Sequence, residues 1–243
     1  MNIIINGASG RMGRIVDELV QRGGVHSVAA RVDWSNAASG GLSALSEYQG
    51  PADMVIDFSN HSATAQVTEY CVERGLPVVI ATTGQTEEEL SLIRAAAERV
   101  PVFLSANMSI GVALLAELAK KAAALFPDAE IEIIERHHNQ KLDVPSGTAL
   151  LLAHRIQEVR EDAPLVVGRH ENGKRTRQEI GIHSLRYGNE VGTHEIVIAA
   201  GAETITLKHE AESRELFGNG ALAAAEYLMG RAPGLYDMRN IVE

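Results

Sequence analysis

Asn2-Ile3-Ile4-Ile5-Asn6-Gly7-Ala8-Ser9-Gly10-Arg11-Met12-Gly13 is the stretch on which the fold turns. The isoleucine run predicts a strand over 2–6, since β-branched side chains fit a pleated backbone and a strand buried on both faces needs no polar alternation. Met12, Ile15, Val16 and Leu19 then recur at a helical period over 12–22. Between strand and helix, glycines permit a tight turn and let backbone N–H groups approach a pyrophosphate, while the helix N-terminus adds partial positive charge. The spacing G-x-x-G-x-x-G departs from the strict G-x-G-x-x-G, so the flanking strand and helix carry the assignment. Gly7, Ala8, Ser9, Gly10, Arg11 and Met12 are the candidate cofactor residues of this loop.

A second strand, 28–32, ends at Asp33, 20 residues after Gly13. An acidic residue at that distance can accept hydrogen bonds from an adenosine ribose. It would also repel a 2′-phosphate, and its neighbour is Trp34 rather than an arginine or lysine. The expectation is a preference for NADH, with NADPH tolerated only if Arg11 or Arg31 reaches the phosphate.

Further strands are expected at 54–58, 78–81 and 102–105, with helices at 63–74 and 86–99. Glu87, Glu88 and Glu89 sit near the start of the latter helix, where they suit its dipole. Strands separated by helices imply an α/β domain with a Rossmann-type parallel sheet. Thr82-Thr83-Gly84 and Ser105-Ala106-Asn107-Met108 follow the fourth and fifth strands. Ligands of parallel sheets sit outside the carboxyl ends of the strands, so both segments are placed to line a nicotinamide.

After about residue 108 the pattern changes. Helices are expected at 111–126 and 148–159, and strands at 130–135, 165–167, 179–185, 194–200 and 204–208. Several of these strands alternate polar and apolar residues, which predicts an α+β domain with a mixed or antiparallel sheet. A last helix, 219–229, closes the chain. The expected division is a dinucleotide-binding domain over 1–108 and a substrate-binding and oligomerisation domain over 109–214.

Composition narrows the function classes. The 243 residues are 45% apolar and 22% charged, which fits an ordinary globular protein rather than a disordered one. The net charge of −10 disfavours wholesale nucleic-acid binding, though not a local basic pocket. A single cysteine, Cys71, excludes an intrachain disulfide and a cysteine metal cage. No apolar run approaches the ~20 residues of a membrane span, and the opening residues lack a leader's pattern. The expectation is a cytoplasmic protein with no membrane partner.

The densest chemistry is Glu135-Arg136-His137-His138-Asn139-Gln140-Lys141-Leu142-Asp143-Val144-Pro145-Ser146-Gly147-Thr148-Ala149. Two histidines and a lysine follow a strand, and a helix begins at once with Ser146 or Thr148 as N-cap. Cations beside a helix N-terminus suit a small substrate with carboxylates, and histidine titrates near neutral pH. Neighbouring histidines on a strand point to opposite faces, and no carboxylate falls at a familiar zinc spacing, so no metal is expected. His154, His170, His183, His194 and His209 are scattered and receive no role.

This block resembles the signature of the 4-hydroxy-tetrahydrodipicolinate reductase family, also called dihydrodipicolinate reductases, of the diaminopimelate route to lysine. The likeness extends to Gly-Ala-Ser-Gly-Arg-Met-Gly at 7–13, Asp57-Phe58-Ser59, Thr82-Thr83-Gly84, 105–109, 217–221 and 234–239. It implies that His137 is the proton donor and acceptor and Lys141 a second donor. It further implies that His138, Gly147 and Thr148, with the Ser146 helix start, bind the dicarboxylate substrate. Gly7 to Met12, Asp33, Ala81 to Thr83 and Ser105 to Met108 would hold NADH or NADPH. A homotetramer is implied, as is a return of residues from about 215 onward to the first domain. Two other readings stay open: another dehydrogenase of a small amino or keto acid, and a non-catalytic dinucleotide sensor. The former should lack the His-His-x-x-Lys block, and the latter should have lost His137 or Lys141.

Overall fold

The isoleucine run is buried on both faces. Ile3, Ile4 and Ile5 are fully inaccessible in β1 (Asn2–Asn6), which pairs in parallel with β2 (Ser27–Val32) and β3 (Met54–Asp57). The computed structural model describes residues 1–39 and 41–243. The parallel sheet continues through β4 (Val78–Ile80) and β5 (Pro101–Leu104). Three helices connect these strands: α1 (Arg11–Gly23), α2 (Thr64–Arg74) and α3 (Glu87–Ala97). Local sequence sets their ends. Gly24 and Gly75 close α1 and α2 in the left-handed conformation that glycine adopts without penalty. Thr86 and Glu89 form a reciprocal capping box at the start of α3.

The chain then builds a second unit from α4 (Ile110–Leu125), β6 (Glu130–His137), α5 (Gly147–Gln157), β7 (Leu165–Val167), β8 (Ile180–Arg186), β9 (Gly192–Ala200) and β10 (Glu203–Ala211). Its five-stranded sheet has the order β10-β9-β6-β8-β7. β9 is antiparallel to β10 and β6, whereas β6, β8 and β7 run parallel, so the sheet is mixed. Leu115 and Ala119 of α4 and Leu152 and Ile156 of α5 share one apolar cluster with the isoleucines of β6, β8 and β9.

The chain finally returns to the first unit. α6 (Glu215–Leu228) leads to β11 (Gly234–Tyr236), which adds to β5 as the sixth parallel strand, and α7 (Arg239–Val242) ends the chain. The sheet order is β11-β5-β4-β3-β1-β2. The two compact units are therefore Met1–Ile110 joined by Arg214–Ile241, and Gly111–Ser213. Cys71 is a core residue of the first unit, with a thiol that burial pushes up. No helix among the described residues is long and apolar enough to cross a membrane.

Candidate active site

β6 alternates, and its inward side chains read Ile131, Ile133, Glu135, His137. The neighbouring strands make the same change at the same level. In register with Ile133 stand Ile182 of β8 and Ile196 of β9; in register with Glu135 stand Ser184 and His194. The core face of the sheet thus turns from isoleucine to polar side chains across three strands at once. Water would normally claim those polar groups, but Glu135, His137 and His194 are all buried. Each must be satisfied by its neighbours or carry a cost.

Glu135 is the hub. Its Oε2 accepts from His137 Nδ1 at 2.5 Å and from Arg186 Nη1 at 2.8 Å. Its Oε1 accepts from Arg186 Nη2 at 2.7 Å and from the Ser146 N–H at 3.2 Å. Burial alone would raise this carboxyl; hydrogen bonds from His137 and Arg186 outweigh it and hold the group well below the usual carboxylate range. An ionised carboxylate only accepts, so the hydrogen lies on His137 Nδ1, and Nε2 is the atom left to give or take a proton. Space at Nε2 depends on Gly192: a Cβ there would lie 2.9 Å from it.

The His194 ring stands edge-on to His137, with centroids 5.2 Å apart, and its Nε2 lies 3.1 Å from Ser146 Oγ. Burial, then the charge of neighbouring His137, pushes His194 down to about 3, so it is neutral at physiological pH. A group whose folded value lies below its unfolded one binds fewer protons when folded, and stability falls as pH drops through that window. Between pH 6.5 and 3, His194 should therefore cost stability at up to ~1.4 kcal/mol per pH unit. Denaturant midpoints measured against pH should show a shallower slope for His194→Phe than for wild type; equal slopes would remove this assignment.

The loop after β6 holds the remaining predicted residues. His137, expected in that loop, is instead the last residue of the strand. His138 is half-buried and donates its N–H to the Glu190 carbonyl at 2.8 Å. Lys141 Nζ lies 2.9 Å from Asp143 Oδ1, and Arg186 Nη2 reaches the Asp143 carbonyl at 2.7 Å. Burial would raise the Asp143 carboxyl, but the Lys141 ammonium and the Gly147 N–H lower it. The α5 N-terminus and Lys141 thus already converge on one carboxylate. Ser146, not Thr148, is the N-cap and accepts from the Ala149 N–H at 3.2 Å. Gly147 is exposed and Thr148 half-buried in the first turn, which carries no acidic side chain of its own.

Glu135, His137 and His194 also place three potential metal-ligating atoms within 4.8 Å of one another. A cation there would meet the Arg186 guanidinium, which occupies both Glu135 oxygens, and the Nδ1 hydrogen of His137. Both Glu135 oxygens and His137 Nδ1 are thus engaged in hydrogen bonds, while the buried His194 Nδ1 has no hydrogen-bond partner among the described residues. A cavity of about 480 Å³ opens at the Glu130 end of β6, the end opposite His137.

The first unit carries a separate cavity of about 510 Å³, lined by Asn6, Gly7, Gly10, Asp33, Trp34 and Phe58 among others. Gly7 has φ +79°, and a Cβ there would lie 2.6 Å from the Phe58 carbonyl; a Cβ on Gly13 would lie 2.2 Å from the Gly7 carbonyl. Only glycines allow this turn. Gly10 is the N-cap of α1 and no side chain caps that helix, which leaves its first-turn N–H groups for an anion. Asp33 is 8% exposed. It accepts from the Ser9 N–H at 3.1 Å and from the Ser35 N–H and Oγ at 3.0 and 2.6 Å. Burial raises it, but these bonds prevail and hold the carboxyl low. An ionised carboxylate beside a glycine loop and an uncapped helix fits the ribose and pyrophosphate of a dinucleotide.

Arg11 is exposed at the start of α1, and Arg31 is tied to Asp17 by bonds of 2.9 and 2.6 Å. Ala81 and Thr82 are buried, and Thr82 Oγ1 donates to Asp57 at 2.7 Å, so Thr83 is the exposed side chain of that segment. Ser105 Oγ donates to the Asn107 carbonyl at 2.8 Å and Ala106 is exposed. Met108 is 2% exposed, and its carbonyl packs so closely on α6 that a Cβ at Gly220 would overlap it. Glu135 as anchor, Arg186 and His194 were missed by sequence reasoning. Sequence offered one usable signal: the polar side chains that replace isoleucine at the same phase of β6 and β9.

Comparison with known proteins points one way. A family profile described as "Dihydrodipicolinate reductase, N-terminus" matches residues 1–108, and one described as "Dihydrodipicolinate reductase, C-terminus" matches residues 111–242. The chain is 44% identical over 247 residues to the 4-hydroxy-tetrahydrodipicolinate reductase of Caldanaerobacter subterraneus subsp. tengcongensis, covering 100% of this chain and 98% of that one. It is 42% identical over 246 residues to the Clostridium tetani protein of the same name, covering 98% and 95%. Among solved structures, the dipicolinate-bound dihydrodipicolinate reductase from Paenisporosarcina sp. TG-14 superposes with a TM-score of 0.82, at 28% identity and 99% coverage of both chains.

Proposed function

The chain belongs to the dihydrodipicolinate reductase family, and on that premise we propose how its own residues carry out the family's reaction. That reaction takes 4-hydroxy-tetrahydrodipicolinate, NAD(P)H and a proton to tetrahydrodipicolinate, NAD(P)⁺ and water. One observation carries the assignment of roles: the buried Glu135–His137 pair, with Nε2 left open at Gly192, lies beside a helix start and a lysine that converge on a carboxylate.

Bound NAD(P)H supplies the hydride. Glu135 and Arg186 fix the His137 ring, and His137 Nε2 delivers a proton to the substrate carbon that gains electron density. Lys141, His138 and the Ser146–Thr148 helix start bind the substrate carboxylates, in the manner that Lys141 and Gly147 now bind Asp143. Neutral His194 walls the ring without competing for its proton. In the first unit the glycine loop holds the pyrophosphate and Asp33 the ribose hydroxyls.

Asp33 supports a preference for NADH. It is an acceptor-only group in the cavity, Trp34 follows it, and Arg31 is engaged by Asp17. The test generates substrate in place from pyruvate and aspartate semialdehyde with the preceding synthase and follows oxidation of NADH and NADPH in parallel. Synthase-dependent oxidation with kcat/KM higher for NADH is the expected result. A strong preference for NADPH would overturn the role of Asp33; no oxidation of either would overturn the assignment of activity. The cytoplasm, where such biosynthetic cofactors circulate, is the expected location.

A homotetramer built through the second unit's sheet is also proposed. Its support is the face of that sheet away from α5, on which Ile134 and Val197 are half-buried and Leu185 is 43% exposed. Sedimentation equilibrium reads the assembly, and a monomer at micromolar concentration would remove this proposal.

A further inference from the structure

Trp34 is the only tryptophan in the chain, and it is 84% exposed. Single exposed apolar residues are common and by themselves mean little. Its position is what matters. It follows Asp33 directly, begins a short turn (Trp34–Ser39), and lines the cavity that also holds Gly7 and Gly10. The backbone there is pinned: Asp33 N–H donates to the Leu42 carbonyl at 3.0 Å, and Asn36 N–H donates to the Asp33 carbonyl at 2.8 Å. A pinned backbone therefore presents a large, flat and exposed ring at the rim of a pocket.

The cavity's surroundings supply three chemistries: the uncapped N-terminus of α1 behind Gly10 for phosphate, the Asp33 carboxylate for hydroxyls, and apolar Leu45, Ala63 and Val67. Apolar walls next to a carboxylate suit a planar heterocycle attached to a ribose, and an indole is the strongest stacking surface a side chain offers such a ring. We propose that Trp34 stacks on the adenine of the dinucleotide and sets the affinity for the adenosine half without distinguishing NADH from NADPH. Discrimination then falls to Asp33, because a 2′-phosphate lies on the ribose and not on the base. The proposal rests on reading this cavity as the dinucleotide site.

The intact protein is titrated with NADH by calorimetry, and with ADP-ribose by calorimetry and by tryptophan fluorescence. ADP-ribose is chosen because, unlike NADH, it cannot accept energy from a distant indole, so a quenched signal reports a change at the indole itself and is read together with the affinity of Trp34→Ala. Expected are ADP-ribose binding with quenching of Trp34, a roughly tenfold loss of affinity for NADH and NADPH alike in Trp34→Ala, and near wild-type affinity in Trp34→Phe. ADP-ribose binding with unchanged fluorescence and unchanged affinity in Trp34→Ala would overturn the stacking role while leaving the dinucleotide site in place. Unequal losses for the two cofactors would overturn the claim of indifference. Failure of wild type to bind NADH would overturn the site and the stacking role together.

Discussion

Glu135→Gln is expected to lower kcat by about two orders of magnitude or more, with cofactor dissociation left near its wild-type value. The substitution keeps shape and removes charge. Three hydrogen bonds from His137 and Arg186 now end on two carboxylate oxygens, with a fourth from Ser146. An amide offers one acceptor oxygen and turns two unwanted donors toward donors. His137 then loses the partner that fixes its Nδ1 hydrogen, and Arg186 keeps its charge in a site where its side chain is only 16% exposed. Breaking a buried pair by removing one partner costs about 3–5 kcal/mol, because the other charge stays behind. Both a slower enzyme and a lower denaturation midpoint are therefore expected. Wild-type turnover in a stably folded Glu135→Gln protein would show that the carboxylate does not govern the ring.

His137→Ala is the second large effect: a loss of about 10²–10⁴-fold in kcat with binding of dipicolinate, the ligand of the solved relative, changed far less. The side chain donates to Glu135 from one nitrogen and leaves the other for chemistry, so its removal takes away proton transfer rather than a carboxylate-binding contact. The two residues should also fail to add. If Glu135 acts through His137, the double variant Glu135→Gln/His137→Ala turns over no more slowly than His137→Ala alone. Additive losses would mean that Glu135 has a separate role, and undiminished turnover in His137→Ala would mean that the proton comes from elsewhere.

How much of this was legible beforehand depends on distance along the chain. The strand, glycine turn and helix over 2–23 were readable because they are contiguous, and the 135–149 block likewise carries its own strand end, cations and helix cap. The mixed second sheet was visible in its alternating strands. Arg186 and His194 were not. They belong to β8 and β9, more than fifty residues from Glu135, and reach it only through strand register, which a sequence does not display. Glu135 was read as part of a signature, yet its work depends on the arginine brought from β8. β6 was expected to stop at Glu135; because its inward positions end in a glutamate and a histidine, the apolar alternation that marks a strand fades before the strand does. β11 was missed for a simpler reason: Gly234-Leu235-Tyr236 follows Pro233 and opens on a glycine, a composition that reads as a turn rather than a strand.

That short strand has a consequence for how the chain is made. β5 ends at Leu104, but its outer neighbour is Gly234–Tyr236. A ribosome adding about 5–20 residues per second needs roughly ten seconds to travel between them. During that interval the whole 111–213 unit emerges while β5 is the edge of the first sheet. The second unit is thus an insertion between two neighbouring strands of the first, and the three-residue β11 then takes over from β5 as the edge, where a short strand offers little for another chain to pair with. A translation product halted before residue 234 would leave β5 as an open template for a neighbouring chain.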